Sequence, residues 1–311
     1  LISRLALRRA SSYLIIPVTL IALVLSACTQ PSTAPTPTSP APSPKPSPTA
    51  SELVGSIKVI GSNTVTPISS VWAEEFMKKN PRTSIAVSGP GSGVGIAALI
   101  DGTTDICQAS RPMSQAEIDK AKANGRTPVE FIIAYDGLAI VVNPSNPVNE
   151  LTMEQLSNIY QGKITNWKDV GGKDLPIVAL SRDSNSGTHV FFKEHVVQMK
   201  DKKAEYGEKV LFLPSTEAGV TETAKNERAI FYAGLGYVSK DVKVLGVKKD
   251  AASPAVQPSI KTVHDNSYPV SRPLFFYTPG QPSGVVKAFI DYAKSKEGQA
   301  VVEKMGYVPL P

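Results

Sequence analysis

Ile177-Val-Ala-Leu-Ser-Arg-Asp-Ser-Asn-Ser-Gly-Thr188 is the stretch that decides how this chain is read. Its first four residues form a short apolar run, the signature of a buried strand. A polar loop follows, with Arg182, Ser186, Gly187 and Thr188. Then His189-Val-Phe-Phe-Lys-Glu-His-Val-Val197 supports a helix, with Val190, Phe191, Val196 and Val197 available for burial. A strand that enters a helix through small hydroxyl residues and a glycine leaves unpaired backbone N–H groups at the helix start. Those donors and the helix dipole favour an anion. Arg182 adds a planar fork of charged donors that matches an oxyanion. The same residues also make an ordinary N-capped helix, so the stretch alone leaves both readings open.

Strands and helices alternate outward from it. Ser56 to Ile60 reads as a strand, followed by the loop Gly61-Ser-Asn-Thr64 and a helix capped by Thr66 with Pro67 in its first position. Gly89-Pro-Gly-Ser-Gly-Val-Gly95 is a second turn before a short helix. Thr104 to Ala109 is a strand that ends at Ser110-Arg111. Phe131 to Ala134 is a strand ending at Asp136, and Leu138 to Val142 is a separate strand. Thr152-Met-Glu-Gln155 is a capping box. Alternation of this kind builds parallel-rich α/β sheets, which bind ligands at the carboxyl ends of their strands. Ser62 to Thr64, Ser92, Ser110-Arg111, Asp136 and Arg182 to Thr188 all fall at such ends. Together they predict a donor-lined cleft for a small oxyanion.

The flanking sequence sets the compartment. Arg4, Arg8 and Arg9 precede an apolar run from Tyr13 to Leu25 that is too short for a comfortable membrane span, and the run closes in Leu-Ser-Ala-Cys28. Thr29 to Ser51 holds 8 Pro, 5 Ser and 5 Thr in 23 residues, an extended linker without core-forming side chains. In polyproline II form it reaches roughly 70 Å. The net charge of +6 falls once the three leader arginines are set aside, leaving 30 basic against 27 acidic side chains. That balance, with no basic tract interleaved with aromatics, argues against nucleic acid. Cys107 reads as a small buried residue on a strand. His189, His195 and His264 lack metal-ligand spacing, so no metal is expected.

These motifs resemble the phosphate-binding component of an ABC importer, a family within the periplasmic-binding-protein superfamily. The likeness runs from about Gly55 to Pro311. It rests on Gly61-Ser-Asn-Thr-Val-Thr-Pro67, Gly91-Ser-Gly-Val-Gly95, Asp105-Ile-Cys-Gln-Ala-Ser-Arg111, Tyr135-Asp-Gly-Leu-Ala-Ile-Val-Val-Asn-Pro144, Gly162-Lys-Ile-Thr-Asn-Trp167, Arg182-Asp-Ser-Asn-Ser-Gly-Thr188 and Gly306-Tyr-Val-Pro-Leu310. The resemblance implies an α/β, two-lobe periplasmic-binding-protein-like (type II) fold with a two-segment hinge. Residues 55–137 and 276–311 would form one lobe and 144–246 the other. Residues 138–143 and 247–275 would be hinge and connecting segments. It implies inorganic phosphate enclosed by Ser62, Asn63, Thr64, Ser92, Ser110, Arg111, Arg182, Ser186, Gly187 and Thr188. Asp136 is the match for a carboxylate that accepts the phosphate proton. An ionised aspartate only accepts hydrogen bonds, so it welcomes protonated phosphate and repels sulfate. The leader resembles a lipoprotein signal peptide over residues 1–28, with Cys28 acylated, followed by the linker over 29–54. A monomer is expected, extracytoplasmic and lipid-anchored, whose partners are phosphate and the importer's permease subunits.

Rival readings are weaker. Pro90 and Val94 break the G-x-S-x-G spacing of a nucleophile elbow around Ser92, and no triad or metal cluster accompanies it. A phosphate-handling hydrolase is therefore disfavoured; the chain is expected to be no enzyme and to need no cofactor. The glycines from Gly89 to Gly95 fit neither dinucleotide nor P-loop spacing. A tethered sensor, or a binder of another tetrahedral oxyanion, would use the same cleft.

Overall fold

The computed structural model describes residues 53–311. The leader, Cys28 and nearly all of the linker lie outside the described residues. In chain order the first elements are β1 (Gly55–Gly61), α1 (Thr66–Lys79), β2 (Thr83–Ser88), α2 (Ser92–Asp101), β3 (Ile106–Ala109), α3 (Gln115–Ala123) and β4 (Val129–Val142). Next come β5 (Glu150–Thr152), α4 (Met153–Tyr160), β6 (Val178–Arg182), α5 (Gly187–Phe192), β7 (Leu211–Leu213), α6 (Thr216–Lys225), β8 (Ala229–Gly234) and β9 (Lys243–Lys248). The chain closes with α7 (Ile260–His264), β10 (Ser271–Thr278), α8 (Gly284–Lys294) and α9 (Lys296–Lys304).

The strands form one curled path, β2-β1-β3-β10-β4-β8-β6-β7, with β9 and β5 branching from β4. β1 is parallel to β2 and β3, and β6 is parallel to β7 and β8. The middle of the path is antiparallel, where β10 and β8 flank β4. β4 therefore belongs to both halves: residues 129–137 pair with β10, and residues 138–142 pair with β8 and β9. The separate strands expected on either side of Asp136 are one continuous strand. Asp-Gly reads as a turn, but here Asp136 lies directly opposite Arg272 and Gly137 opposite Ser271, and the pairing continues through both.

Each half has its own apolar core. The first gathers Val59 and Ile68 with Trp72, Phe76, Phe276 and Phe289; Trp72 meets Phe276 edge-on at 5.9 Å and donates from its indole N–H to Gly298 O at 2.8 Å. The second gathers Ile140, Leu156, Tyr160, Trp167, Phe192 and Tyr232, with Phe192 stacked on Tyr232 at 4.0 Å. Each such large apolar side chain contributes about 1.5–3 kcal/mol on burial. Local signals explain most helix starts: Thr152 and Gln155 form the expected capping box, and Ser186 accepts from Thr188 N and His189 N at the start of α5. The first helix differs from expectation. Val65 is its cap, and Thr66 is already helical, its hydroxyl donating back to Ser62 O at 2.9 Å. The helix expected over 189–197 begins at Gly187 and turns π-helical from Lys193 to Val197. Cys107 is fully buried on β3, and burial pushes its thiol far up, so it is inert packing.

Candidate functional site

Loops from both halves converge where β4 passes from one to the other. From the first half, the Ser62 hydroxyl donates to Ser110 Oγ at 2.9 Å, and Ser92 Oγ lies 3.3 Å from Ser110 Oγ while accepting from Ser110 N at 3.1 Å. From the second half, Thr188 Oγ1 meets Thr64 Oγ1 at 2.9 Å. Gly93 N donates to Asn185 O at 3.0 Å, fastening the glycine turn to the β6–α5 loop. Gly187 fits against the serine cluster only because it has no side chain: a Cβ there would collide with Ser92 Oγ and lie 2.7 Å from Ser110 Oγ. Ser62, Thr64, Ser92, Ser110, Ser186 and Thr188 are all buried. Buried hydroxyls gathered this densely are donors in search of acceptors, since each carries one O–H and two lone pairs.

Two arginines cross between the halves in opposite directions. Arg182, 1% exposed, extends from β6, and its Nη1 donates to Thr216 Oγ1 at 2.8 Å and to Asn63 Oδ1 at 3.1 Å. Its remaining donors reach Leu213 O, Pro214 O and Asp183 Oδ2. Arg272, 2% exposed, extends from β10 and donates from Nη2 to Thr188 Oγ1 at 2.9 Å and from Nη1 to Ser110 O at 3.0 Å. Its Nε and Nη2 both reach Asp136 Oδ2, at 3.3 and 2.9 Å. Asp136 Oδ1 accepts from Leu235 N at 3.0 Å. Burial pushes the Asp136 carboxyl upward; Arg272 and Leu235 N–H pull the other way without fully offsetting it.

A tyrosine network holds the second-half loop from behind. Tyr232 Oη lies 2.5 Å from Ser181 Oγ and 3.1 Å from Tyr206 Oη, and Tyr206 donates to His189 O at 3.1 Å. His189 Nδ1 sits 2.8 Å from Arg182 O. Burial keeps the Tyr206 and Tyr232 hydroxyls protonated and holds His189 below its usual range, so these groups act as neutral hydrogen-bonding supports.

Of the residues singled out from sequence, Ser62, Asn63, Thr64, Ser92, Ser110, Asp136, Arg182, Ser186, Gly187 and Thr188 share this contact network. Arg111 does not join it. Its fork grips Glu117 through Nη1 at 2.8 Å and Nη2 at 2.7 Å. Glu117 is also half of the capping box of α3 with Ser114. Partial burial acts to raise the Glu117 carboxyl, but Arg111 and Ser114 outweigh it and hold it below the usual range. The Ser114-x-x-Glu117 pattern was the signal for this alternative. Arg272, Thr216 and the tyrosine network were missed; their partners lie far away in sequence and left no local mark. Among the described residues, no three His, Cys, Asp or Glu side chains converge as they would around a metal ion.

A two-part α/β body with buried polar loops meeting at a shared central strand defines a solute-binding protein. The sequence agrees: residues 46–297 match the PBP superfamily domain, and the chain belongs to that superfamily. Within it, the chain belongs to the PstS family of phosphate-binding proteins. It is 37% identical over 272 residues to the phosphate-binding protein PstS of Staphylococcus epidermidis, covering 84% of this chain and 80% of that one. Identity to PstS of Staphylococcus aureus (strain USA300) is also 37%, over 269 residues, with 84% and 80% covered. Among solved structures, one described as a phosphate ABC transporter substrate-binding protein with bound phosphate, from Clostridium perfringens, superposes with a TM-score of 0.72 at 34% identity, covering 82% of this chain and all of that one. An ABC-type phosphate transport receptor from Vibrio cholerae gives 0.67 at 33% identity, with 82% and 100% covered.

Proposed function

We infer that this chain captures inorganic phosphate outside the cytoplasm and delivers it to the permease of an ABC importer. The observation that carries the reading is the buried cluster of Ser62, Ser92, Ser110, Thr64 and Thr188 beside the Arg182 guanidinium, in a chain of the PstS family. Phosphate offers these groups the acceptors that the hydroxyls now find in one another. Gly187 N, at the entry to α5, adds a backbone donor, while Ser186 N and Thr188 N are already paired with Asp183 O and Ser186 Oγ. The crossing of β4 near Gly137, rather than residues 138–143, of which 138–142 pair inside the second half, acts with the segment 268–275 as the hinge on which the halves close over the ligand. Titration calorimetry with phosphate, arsenate, sulfate and molybdate tests the reading. Phosphate and arsenate, which share shape and protonation, should bind and sulfate should not; preferential binding of sulfate or molybdate would sink it.

Asp136 is the proposed reader of the phosphate proton. A carboxylate oxygen accepts two hydrogen bonds, and Oδ1 spends only one, on Leu235 N. Its second position accepts the phosphate O–H. Asp136→Asn should then lower the phosphate-to-sulfate affinity ratio more than phosphate affinity itself, both read at one pH and salt concentration. An unchanged ratio would exclude Asp136 as the reader.

Cys28 is the proposed anchor, acylated after cleavage of the leader, with the Pro-rich linker as a tether. One acyl chain holds membranes only weakly and several hold firmly. Intact mass of the membrane-bound form should show a modified Cys28, and Cys28→Ser should leave a precursor or a released protein. An unmodified Cys28 in the membrane fraction would rule the anchor out.

A further inference from the structure

We propose that Arg272 is a positioning and specificity-determining residue of the phosphate cleft, acting through the Thr188 hydroxyl. The proposal rests on the reading of the cleft as a phosphate site. Arg272 stands on β10, next to the point where β4 changes partners, and three sets of contacts fix its guanidinium. Asp136 takes Nε and Nη2, Ser110 O takes Nη1, and Thr188 Oγ1 takes a second bond from Nη2. The ring of Phe191 lies against its Cζ at 5.3 Å from the centroid. The side chain thus ties the shared strand to the first-half serine loop and to α5 of the second half.

The chemistry of the Thr188 contact gives this arrangement a consequence. A guanidinium donates and cannot accept. Where Nη2 meets Thr188 Oγ1, the arginine takes a lone pair of that oxygen, and the hydroxyl proton must point elsewhere. On its other side Thr188 faces Thr64 Oγ1. Arg272 therefore sets Thr188 as a hydrogen-bond donor into the cleft, aimed at an unprotonated ligand oxygen. Asp136 completes the device by neutralising the arginine. A bare buried cation at this place would attract any anion, sulfate included, whereas the Arg272–Asp136 pair orients a donor and adds no net charge. Because Ser110 O and Thr188 Oγ1 are on different halves, both contacts exist together only when the halves are closed. Arg272 thereby couples ligand orientation to closure at the shared strand.

The test is a double-substitution cycle read by phosphate and sulfate titration, with closure followed by the fall in radius of gyration on adding phosphate. Arg272→Lys keeps the charge but cannot reach Asp136, Ser110 and Thr188 together; it should weaken phosphate binding about tenfold, the scale of a lost charge-assisted bond. Thr188→Val, which keeps the shape and removes the hydroxyl, should lose a similar factor. In the double variant the losses should not multiply, because Arg272 acts through that hydroxyl. Multiplying losses, or an Arg272→Lys variant that binds and closes like the wild type, would overturn the proposal. Should Arg272→Lys fail to fold with Asp136 left poorly paired, Arg272→Met with Asp136→Leu removes the pair without stranding a charge. That folded variant should bind phosphate at least tenfold more weakly, and adding Thr188→Val to it should then cost little more; wild-type affinity, or a further loss of about tenfold on adding Thr188→Val, would again overturn the role. If the wild type binds phosphate and the variants match it, only the role of Arg272 fails. If the wild type binds no phosphate, the reading of the cleft fails with it.

Discussion

The carboxyl ends of β3 and β6 read alike, Ala109-Ser-Arg111 and Leu180-Ser-Arg182, yet they deliver opposite residues to the cleft. After β3 the serine enters, with Ser110 at the centre of the hydroxyl cluster, and Arg111 turns to Glu117. At the end of β6 the arginine enters, and Ser181 turns back to the Tyr232 hydroxyl. Neighbouring residues leave a strand on opposite faces, so one of each pair must face away. What decides is the nearest partner. Arg111 has a carboxylate six residues downstream, already ordered by the capping box of α3. Arg182 has Asp183 only at 3.4 Å and instead satisfies itself on Thr216, Asn63, Leu213 O and Pro214 O. An arginine held by neutral oxygens keeps its charge available to a ligand; one locked in a bidentate carboxylate pair does not.

The sharpest way to break this contrast is to truncate both arginines. Arg182→Ala should weaken phosphate binding at least roughly tenfold, from the loss of a buried charge-assisted contact of about 1.5–3 kcal/mol. Arg111→Ala should leave affinity within about threefold and cost around 1 kcal/mol of stability, as a partly exposed ion pair does. Equal losses of affinity in calorimetry would show that Arg111 swings into the cleft when ligand arrives. A second arm probes the seam between the two loops. Gly187→Ala places a methyl group against Ser92 and Ser110. It should lower affinity by up to about tenfold, the overpacking falling on the closed form, while the melting temperature of the ligand-free protein changes little. Wild-type affinity would mean that the halves meet less closely than Gly187 implies.

The smallest expected effect concerns the support behind Arg182. Burial holds His189 below its usual range, so the folded state takes up a proton less readily than the unfolded chain. Stability from this position is then full above about pH 6.5 and is lost as pH falls from there toward the lowered value. His189→Gln removes the titration. The stability difference between wild type and variant should shrink between pH 7 and 5, by less than about 1 kcal/mol. A difference independent of pH in denaturant titrations would remove His189 from the account.

Legibility in the sequence tracked the distance between partners. The β6–α5 unit, the glycine turn at Ser92 and the capping box at Thr152 were readable because strand, loop and cap lie within a few residues of one another. Arg111 pairs with Glu117 instead of joining the hydroxyl cluster; that signal was also local, but a Ser-Arg pair at a strand end does not say which side chain faces inward. Asp136 was placed at a strand end because Asp-Gly is turn chemistry; the strand continues because Arg272, 136 positions away, stands opposite and neutralises it. Arg272 itself had no local signature. Nothing near Ser271-Arg-Pro273 marks a buried cation, and its role appears only once β10 is inserted beside β4.

That insertion also sets an order for biosynthesis. β10 lies between β3 and β4, and α8 and α9 supply Phe289, Ile290 and Val302 to the first core. The amino-terminal half is thus built around residues that leave the ribosome last. Until they emerge, β3 and β4 have no bridging strand and the Trp72 cluster has no lid. Pairing across such sequence separations is slow, because the loop must close before its contacts reward it. A nascent chain of this topology completes its amino-terminal half only when its last residues are made, although that half is the first to leave the ribosome.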